Sequence, residues 1–326
     1  MAGIGVIVNP RSRRNRGRAE AVVEALQRTL GDEGQVFACG DPESLVTALT
    51  TLKRSAISVL AICGGDGTYS YVMGHAERVF GPDALPPVAL LRGGTMNTTA
   101  NGLGVPKGTP LKLLEALVRH VSSGRQLITQ PRPLMRGGDR LGCLFGTGLV
   151  VRYLEEYYRR GRPHPTPWTA FTTLSSAAMS AVVSGPLIRK MAEPDRLQLT
   201  IDGESLPVAD YVTIAAGTVP EFGLGFAPFP NCLDDPTRFH MLGTTVSPAA
   251  FLLDLFRMRT GRSMSPDHGL VTSAKSLTLT PDDGAERLLV MFDGDVMELD
   301  APLTVSVGPI VDVVMGAEAH PDQSAT

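Results

Sequence analysis

Short apolar runs alternate with amphipathic stretches over the first 124 residues of this 326-residue chain. The apolar runs predict buried strands at 3–8, 35–38, 58–63 and 88–91. Apolar residues at helical spacing predict helices at 18–30, 43–53, 68–79 and 111–121, and Asp41 is placed to cap the second of them. Strand–helix alternation with near-continuous apolar strands predicts an α/β domain, 1–124, whose parallel sheet is covered by helices on both faces.

The pattern changes near Gly124, where short apolar runs become punctuated by Gly and Pro. These runs predict strands at 127–129, 141–145, 196–201, 211–215, 239–242, 277–280, 288–292 and 303–307. Their turn signals predict a second, mostly antiparallel β domain over 125–302, interrupted by a helical insertion at about 153–191.

Composition excludes several classes of protein. Thirty basic residues against 33 acidic ones give a formal charge of −3, which disfavours nucleic-acid binding driven by bulk charge. No apolar run reaches the roughly 18 residues of a membrane span. The short apolar start precedes its arginines, the reverse of a secretory signal. The four cysteines are scattered, which favours reduced thiols in a cytoplasmic protein.

The strongest candidate for chemistry is Gly64-Gly65-Asp66-Gly67-Thr68, which follows a predicted buried strand and opens a predicted helix. Glycines there let backbone N–H groups approach phosphate oxygens, and a helix N-terminus favours negative charge. An aspartate beside phosphates requires a cation, so Asp66 implies Mg²⁺. The alternative is a strand-to-helix turn that is rich in glycine for steric reasons.

Two further polar loops follow predicted strands. Gly94, Thr95 and Asn97 come after the fourth strand, and Asn9 and Ser12 end the first. Each loop has a plain alternative, a helix cap for the former and a polar turn for the latter. In an open parallel sheet the carboxyl ends of the strands share one edge, where ligands bind. Three such loops at one edge therefore favour a nucleotide site.

Asn-Pro-x-Ser at 9–12, Gly-Gly-Asp-Gly-Thr at 64–68 and Gly-Thr-x-Asn at 94–97 together resemble the diacylglycerol kinase catalytic-domain family. That family includes bacterial lipid kinases, sphingosine kinases and ceramide kinases. The stretch 222–226 and the closing Phe-Asp-Gly-Asp-Val at 292–296 resemble its later motifs. The Gly64–Thr68 loop alone is shared with NAD kinases. The resemblance implies an NAD kinase/diacylglycerol kinase-like fold with ATP and Mg²⁺ bound between two lobes.

Carried over residue by residue, the resemblance implies a set of ATP contacts: Asn9, Ser12, Gly64, Gly65, Asp66, Gly67, Thr68, Ser70, Gly94, Thr95 and Asn97. It places the catalytic base at Asp295, with Asp293 and Asp66 near it as metal or phosphate partners. Asp66 stays open as an alternative base. The resemblance also implies that the segment 303–318 returns to the first domain, which would bring the Asp293–Asp295 turn to face Asp66.

The chain departs from the family pattern at several positions. Asp295 stands where Glu is usual, Thr98 where Asp is common, and Arg13 where Gly is common. Some relatives hold a structural Mg²⁺ at positions that match Asp235, Cys232 and Thr237, although Pro236 replaces a usual Gly here. Asp202-Gly203-Glu204 matches the family's closing Asp-Gly-Glu better in letters, but Asp-Gly predicts a hairpin turn.

The insertion interleaves basic and aromatic residues, namely Arg152, Arg159, Arg160 and Arg162 with Tyr153, Tyr157, Tyr158, Trp168 and Phe171. This pattern is typical of the edge of an anionic membrane, and equally of a helix with a solvated basic face. The sequence predicts a cytoplasmic, peripherally membrane-associated, ATP-dependent lipid kinase that can form a homodimer. Diacylglycerol, ceramide and a sphingoid base stay open as substrates. The alternatives are an NAD kinase-like enzyme and a non-catalytic lipid-binding pseudokinase.

Overall fold

A computed structural model describes residues 3–12, 14–94, 97–161, 166–182 and 185–315 of the chain. The chain divides into two compact units. Unit 1 is Met1–Arg132 with Pro309–Thr326, and unit 2 is Pro133–Gly308.

Unit 1 alternates strands and helices. Its strands are β1 Ile4–Val8, β2 Gly34–Ala38, β3 Val59–Cys63 and β4 Val88–Leu90. Its helices are α1 Ala19–Leu30, α2 Pro42–Arg54, α3 Asp66–Phe80, α4 Thr98–Gly102 and α5 Pro110–Ser122. The predicted strands and the four longer helices are therefore confirmed to within two residues at their ends. The five-residue helix α4 lacks an apolar repeat and was not predicted.

The sheet of unit 1 is parallel, in the order β4-β3-β1-β2. Ile4 pairs with Gly34 on one side and with Val59 on the other, which sets the register of the three strands. β1 and β3 are buried along their whole length, as continuous apolar runs in a covered sheet require. Helix α2 begins with a capping box, in which Asp41 accepts from the Ser44 N–H at 2.8 Å.

Unit 2 is built mainly from short strands. They are β5 Thr129–Gly137, β6 Arg140–Gly142, β7 Leu144–Gly146, β8 Asp195–Ile201, β9 Glu204–Ser205, β10 Ala209–Tyr211, β11 Thr213–Gly217, β12 Phe239–Thr244, β13 Gly269–Ala274, β14 Ser276–Pro281, β15 Arg287–Phe292, β16 Asp295–Asp300 and β17 Leu303–Val314. Its helices are α6 Leu149–Arg160, α7 Pro167–Val182, α8 Pro186–Met191 and α9 Pro248–Arg259. Strands β5 and β17 also extend past the boundaries between the units.

Two antiparallel sheets form the body of unit 2. One has the order β13-β12-β11-β7-β15-β16, and the other runs β10-β8-β14-β17. They share one core, since the same buried cluster holds Phe145 and Phe239 from the first sheet and Leu199 and Leu277 from the second. Two sheets that bury one apolar layer between them are a sandwich. The predicted combination of an α/β domain with a mostly antiparallel β domain is thus confirmed.

Some predicted elements of unit 2 are divided or were missed. The strand predicted at 141–145 is two strands, because the Cys143 N–H donates to the Asp293 carboxylate instead of a neighbouring strand. Helix α9 was not predicted, since apolar residues lie on two of its sides and hide its period. Its Ser247 cap, which accepts from the Ala250 N–H, and its Pro248 at the first position were signals that could have found it.

Candidate functional site

Three polar loops meet at the carboxyl edge of the sheet in unit 1. Asn9 follows β1, and its Nδ2 donates to the Thr68 Oγ1 at 2.8 Å. Ser12 Oγ donates to the Gly93 carbonyl oxygen at 3.4 Å, which joins the first loop to the third. The convergence of these loops, expected from the parallel order of the strands, is therefore present in the structure.

The glycines of the two later loops let their backbones touch. A Cβ on Gly94 would lie 2.4 Å from the Gly65 Cα, and one on Gly93 would lie 2.8 Å from the Gly64 nitrogen. A Cβ on Gly64 would meet the Thr68 side chain at 2.4 Å. The alternative that these positions are glycine for steric reasons is thus correct, because a side chain at any of them would clash. The same close approach leaves the backbone without side chains that would screen its N–H groups from a ligand.

Helix α3 begins two residues earlier than the predicted start, with Gly65 at the N-cap and Asp66, Gly67 and Thr68 in its first turn. The first N–H groups of a helix lack partners within the helix, and the helix dipole makes that end positive. A 15-residue helix whose N-terminus follows directly on a glycine loop is therefore suited to bind phosphate there. Ser70 lies one turn further and is buried, at 7 % exposure.

Asp66 is braced against the third loop. Its Oδ1 accepts from the Thr99 N–H at 2.8 Å, while its Oδ2 takes part in no hydrogen bond within the described ranges. Arg92 lies close enough for their charges to interact, although burial lowers the pKa of Arg92 more than Asp66 raises it. One carboxylate oxygen of Asp66 is thus available to a cation, and the residues of this edge fit the Mg²⁺ that the motif implies.

Arg92 was missed by the sequence reasoning. It directly follows the apolar run of β4, has a positive φ of 52° and is buried at 7 % exposure. Its guanidinium donates to the Asn101 Oδ1 at 2.7 Å and to the Pro106 carbonyl oxygen at 2.8 Å. A buried arginine that binds backbone carbonyls holds the chain after the third loop in place. An arginine directly after a buried apolar run and before two glycines was the signal that could have found it.

Asn97 supports the third loop from within. Its Oδ1 accepts from the Gly94 N–H at 3.1 Å, and its Nδ2 donates to the Gly94 carbonyl oxygen at 3.1 Å. It occupies the N-cap position of α4 with a φ of 50°, but its side chain caps no N–H of that helix. The alternative of a simple helix cap is therefore not what its contacts show. Thr95 lies outside the described residues.

A cavity of about 330 Å³ opens beside the first two loops in unit 1. Its apolar walls are Ile7, Leu45, Tyr71, Val72 and Pro42, and its polar lining comes from Asn9, Arg11, Asp41 and Thr68, with Cys39 and Gly40 completing the wall. Apolar walls with a few polar groups among them match a flat heterocycle carrying a polar sugar. The cavity adjoins the glycine loop through Thr68, so a base and its phosphates would occupy neighbouring places.

The closing motif of unit 2 is a tight hairpin turn. Asp293 and Gly294 have φ values of 47° and 91°, and Phe292 pairs with Asp295 across the turn. The Asp293 carboxylate accepts from the Cys143 N–H at 3.0 Å and from the Leu144 N–H at 2.9 Å. Asp293 therefore holds the turn against the neighbouring strand, a role that the sequence did not predict.

Asp295 is the chemically unusual carboxylate of this turn. The Asp295 side chain is exposed to solvent on one side. Protein atoms around its other side displace water and raise its pKa, and the positive charge of Arg140 offsets only part of that rise. Tyr158 of α6 lies beside it, and burial, then the charge of Asp295, then Tyr157 raise the pKa of Tyr158 to about 12. The Tyr158 hydroxyl donates to the Gly294 carbonyl oxygen at 2.9 Å. Helix α6 thus ties down the residue that precedes Asp295.

The Asp202-Gly203-Glu204 string forms a turn of the same kind, as predicted. Asp202 and Gly203 have φ values of 49° and 89°, and Ile201 pairs with Glu204 of β9 rather than with a residue of 211–215. The Asp202 Oδ1 accepts from the N–H groups of Lys275 and Ser276 at 2.7 and 2.9 Å. Backbone geometry alone therefore does not distinguish the two turns.

Asp293→Asn is expected to lower the free energy of unfolding by about 1–3 kcal/mol, because charge-assisted hydrogen bonds to two strand N–H groups are weakened. Asn tolerates the positive φ, so the backbone of the turn itself should not be strained. Asp202→Asn is the comparison, since that carboxylate also accepts from two backbone N–H groups and in addition pairs with Arg238 at 2.9 Å. Denaturant unfolding should show a loss for Asp202→Asn at least as large as for Asp293→Asn. Unchanged stability in Asp293→Asn would contradict the bracing role.

The contacts of Asp235 favour a self-contained turn over the structural metal site that the resemblance implies. Its Oδ1 accepts from the N–H and the hydroxyl of Thr237, at 2.8 and 2.7 Å. Arg238 places a positive charge 3.9 Å from its Oδ2. Cys232 is buried, and its N–H donates to the Phe229 carbonyl oxygen. The Asp235 carboxylate thus has donors and a cation of its own within the turn, and the structural Mg²⁺ site stays a prediction.

Comparisons with known proteins agree with this geometry. Residues 3–128 match the family model of the diacylglycerol kinase catalytic domain. A proposed diacylglycerol kinase from Bacillus anthracis str. Sterne superposes with a TM-score of 0.69 at 16% identity, over 96% of this chain and 96% of its own. A structure from the same organism described as a diacylglycerol kinase gives a TM-score of 0.63 at 14% identity, over 96% of both chains. No curated protein sequence matches the chain. At these identities, the structural likeness shows the fold.

Proposed function

We propose that this chain, whose residues 3–128 match the family model of the diacylglycerol kinase catalytic domain, transfers the γ-phosphate of ATP to the hydroxyl group of a lipid. The observation that carries the proposal is the convergence of Asn9, the Gly64–Thr68 loop and Gly93–Gly94 at one sheet edge, around the N-terminus of α3. That edge offers the backbone donors and the cavity that a nucleoside triphosphate needs.

ATP is proposed to bind with its base in the 330 Å³ cavity and its phosphates on the Gly64–Thr68 loop. Asn9 holds the Thr68 hydroxyl, so the polar wall of the cavity is fixed before the nucleotide enters. Mg²⁺ bound at Asp66 would neutralise phosphate oxygens. Phosphoryl transfer depends mainly on such positioning and on charge neutralisation.

The proposed chemical step is a direct displacement at phosphorus. The lipid hydroxyl oxygen bonds to the γ-phosphorus, the bond between that phosphorus and the β,γ-bridging oxygen breaks, and ADP leaves. The hydroxyl proton passes to Asp295. A carboxylate with a raised pKa is a better proton acceptor than an ordinary aspartate, which supports Asp295 as the base.

Diacylglycerol is the proposed first substrate, because the family model carries that name, and ceramide and sphingoid bases offer a similar primary hydroxyl beside apolar tails. No helix in the described part of the chain is long and apolar enough to cross a bilayer. The lipid is therefore proposed to be reached by peripheral association with a membrane surface.

The function is tested with purified protein, Mg²⁺ and γ-labelled ATP against diacylglycerol, monoacylglycerol, ceramide, sphingosine and phosphatidylglycerol in mixed micelles, with NAD as a further acceptor. Label in one lipid, and its loss in Asp66→Ala, is the expected result. Label in NAD would replace the proposal with an NAD kinase. ATP binding without transfer to any acceptor would favour the non-catalytic alternative.

Tyr158→Phe is expected to lower kcat by about 3–10-fold while the KM for ATP stays unchanged. The reason is the loss of one hydrogen bond to Gly294, which in general is worth about 0.5–1.5 kcal/mol. Tyr153→Phe is the matched control, because its hydroxyl donates from the same helix to the Ala170 carbonyl oxygen at 2.8 Å, away from the turn. Equal losses of kcat in both variants would mean that Tyr158 acts only through general stability.

A further inference from the structure

The five most exposed large apolar side chains among the described residues all lie on two helices of unit 2. They are Trp168 at 71 %, Phe171 at 54 % and Met179 at 67 % on α7, with Leu253 at 62 % and Phe256 at 73 % on α9. The next most exposed is Ile310 at 45 %. These five side chains are called the α7–α9 apolar face. Large apolar side chains concentrated in this way mark an interaction surface.

Both helices reach the core through their other sides. Helix α7 buries Ala170, Thr173, Ala177 and Ala181, which lie opposite Trp168, Phe171 and Met179 at 3.6 residues per turn. Leu252 of α9 packs against the same cluster as Ala177 and Ala181. A surface helix normally has one apolar stripe, so a helix with a second, exposed stripe has an apolar surface that the fold does not use.

The predicted membrane face on α6 is largely taken up by internal contacts. Tyr153 and Tyr158 donate to backbone carbonyl oxygens, and Arg152 pairs with Asp195 at 2.6 Å. Arg159 and Arg160 both pair with Glu156. Arg162 lies outside the described residues. Trp168 and Phe171 are the most exposed residues of the predicted aromatic set. Their rings stack with centroids 5.7 Å apart.

The surroundings of the α7–α9 apolar face are positively charged. Residues 149–191 and 248–262 carry eight described basic residues against three acidic ones, or four with Asp195, the partner of Arg152, in a chain whose formal charge is −3. Two of the three acids are internally engaged, since Asp254 is fully buried and Glu156 is paired. Arg160 donates to Ser176 on α7, and Arg257 follows Phe256 on α9. The charge therefore complements an anionic surface.

We propose that the α7–α9 apolar face inserts into the surface of an anionic phospholipid bilayer, with the arginines around it in contact with the headgroups. Apolar and aromatic side chains with a basic surround are the composition of interfacial membrane helices. A second copy of the chain would fit less well, because it would bring the same basic residues against one another, and like charges oppose association. This membrane binding rests on the proposed lipid kinase function, since it would bring the enzyme to its lipid substrate. Binding to the bilayer can be measured without catalysis.

Trp168 makes the proposal directly measurable, because it is the single tryptophan of the chain and lies in the face itself. Vesicles with 30 % phosphatidylglycerol in phosphatidylcholine are expected to shift its fluorescence to shorter wavelength, and brominated acyl chains should quench it. Vesicles of phosphatidylcholine alone should bind less, and salt should weaken the binding to anionic vesicles. Binding with no change at Trp168 would overturn the proposal.

Leu253→Ser with Phe256→Ser is expected to weaken binding to the anionic vesicles by about tenfold or more, since each buried side chain contributes apolar transfer free energy. The double variant keeps Trp168 as reporter. Val46→Ser with Leu111→Ser is the matched control, because both residues are exposed on helices of unit 1. Equal binding by the two double variants would refute the assignment. A change in oligomeric state without a change in vesicle binding would assign the face to a second copy.

The two proposals fail in distinguishable ways. The α7–α9 double variant should phosphorylate a short-chain, water-soluble diacylglycerol at the normal rate and lose rate only on vesicles. If Trp168 reports vesicle binding but no lipid is phosphorylated, the proposed membrane-binding face stands and the proposed kinase function is rejected. Phosphorylation on vesicles that is unaffected by Leu253→Ser and Phe256→Ser would retain the kinase and remove the membrane surface.

Discussion

Asp295→Asn is expected to lower kcat by about 10²–10⁴-fold while ATP still binds, which is the range that a positioned general base contributes. The amide has the shape of the carboxylate but does not accept the proton of the lipid hydroxyl. The measurement is steady-state transfer from labelled ATP, together with nucleotide titration of the variant. Asp300→Asn, at the exposed end of the same strand, should leave kcat unchanged. Near-normal turnover in Asp295→Asn would move the base to Asp66.

The same carboxylate sets the expected pH dependence. Because burial raises the pKa of Asp295, its proton-accepting form is lost at a higher pH than for an ordinary aspartate as the medium becomes acidic. The acid limb of kcat should therefore lie above the usual range of aspartate and be absent from the residual activity of Asp295→Asn. Arg140 lowers this pKa, so Arg140→Gln should move the acid limb to higher pH. An acid limb unmoved in Arg140→Gln would contradict the assignment.

Stability should change in the opposite direction from activity. A folded-state pKa raised above the unfolded value means that the ionised carboxylate is less favourable in the folded protein than in the unfolded chain. Above both pKa values, the charged form of Asp295 thus reduces the free energy of unfolding. Asp295→Asn should melt at the same temperature as the wild type or higher, whereas Asp293→Asn should melt lower because its carboxylate braces two N–H groups.

Much of unit 1 could be predicted because its local signals agree with one another. Continuous apolar runs such as Ile4–Val8 and Val59–Cys63 allow only buried strands, and parallel order then brings the loops that follow them to one edge. The resemblance added a family for this domain, and residues 3–128 match the model of that family. The local pattern predicts the fold here because the longer strands and helices show a clear hydrophobic pattern, whereas the five-residue helix α4 does not.

What could not be predicted depends on contacts between distant residues. Cys143 divides a strand because Asp293, 150 residues away in sequence, accepts its N–H. Tyr158 was grouped with membrane-facing aromatics, yet its hydroxyl is bound to Gly294. The exposed sides of α7 and α9 are apolar, as side chains that pack in a core usually are. Sequence alone does not distinguish an apolar side that packs from one that remains exposed.

Gly94→Ala is expected to abolish measurable ATP binding and to lower the free energy of unfolding by about 3 kcal/mol. The new Cβ would lie 2.4 Å from the Gly65 Cα, a backbone atom that has no flexible end to turn away. The loops at the end of β3 and β4 would have to separate. The expected loss is read by nucleotide titration and by denaturant unfolding of the same preparation.

Gly74→Ala provides the matched control within α3, the helix that follows the glycine loop. A Cβ at Gly74 has no atom within 4 Å, and alanine in a helix interior is favoured over glycine by about 1 kcal/mol. This variant should therefore be more stable than the wild type and bind ATP normally. If Gly94→Ala bound ATP as well as Gly74→Ala does, the close contact of the two glycine loops would not be a requirement of the nucleotide site. The cavity beside Thr68 would then have to bind the nucleotide without the loop that we propose for its phosphates.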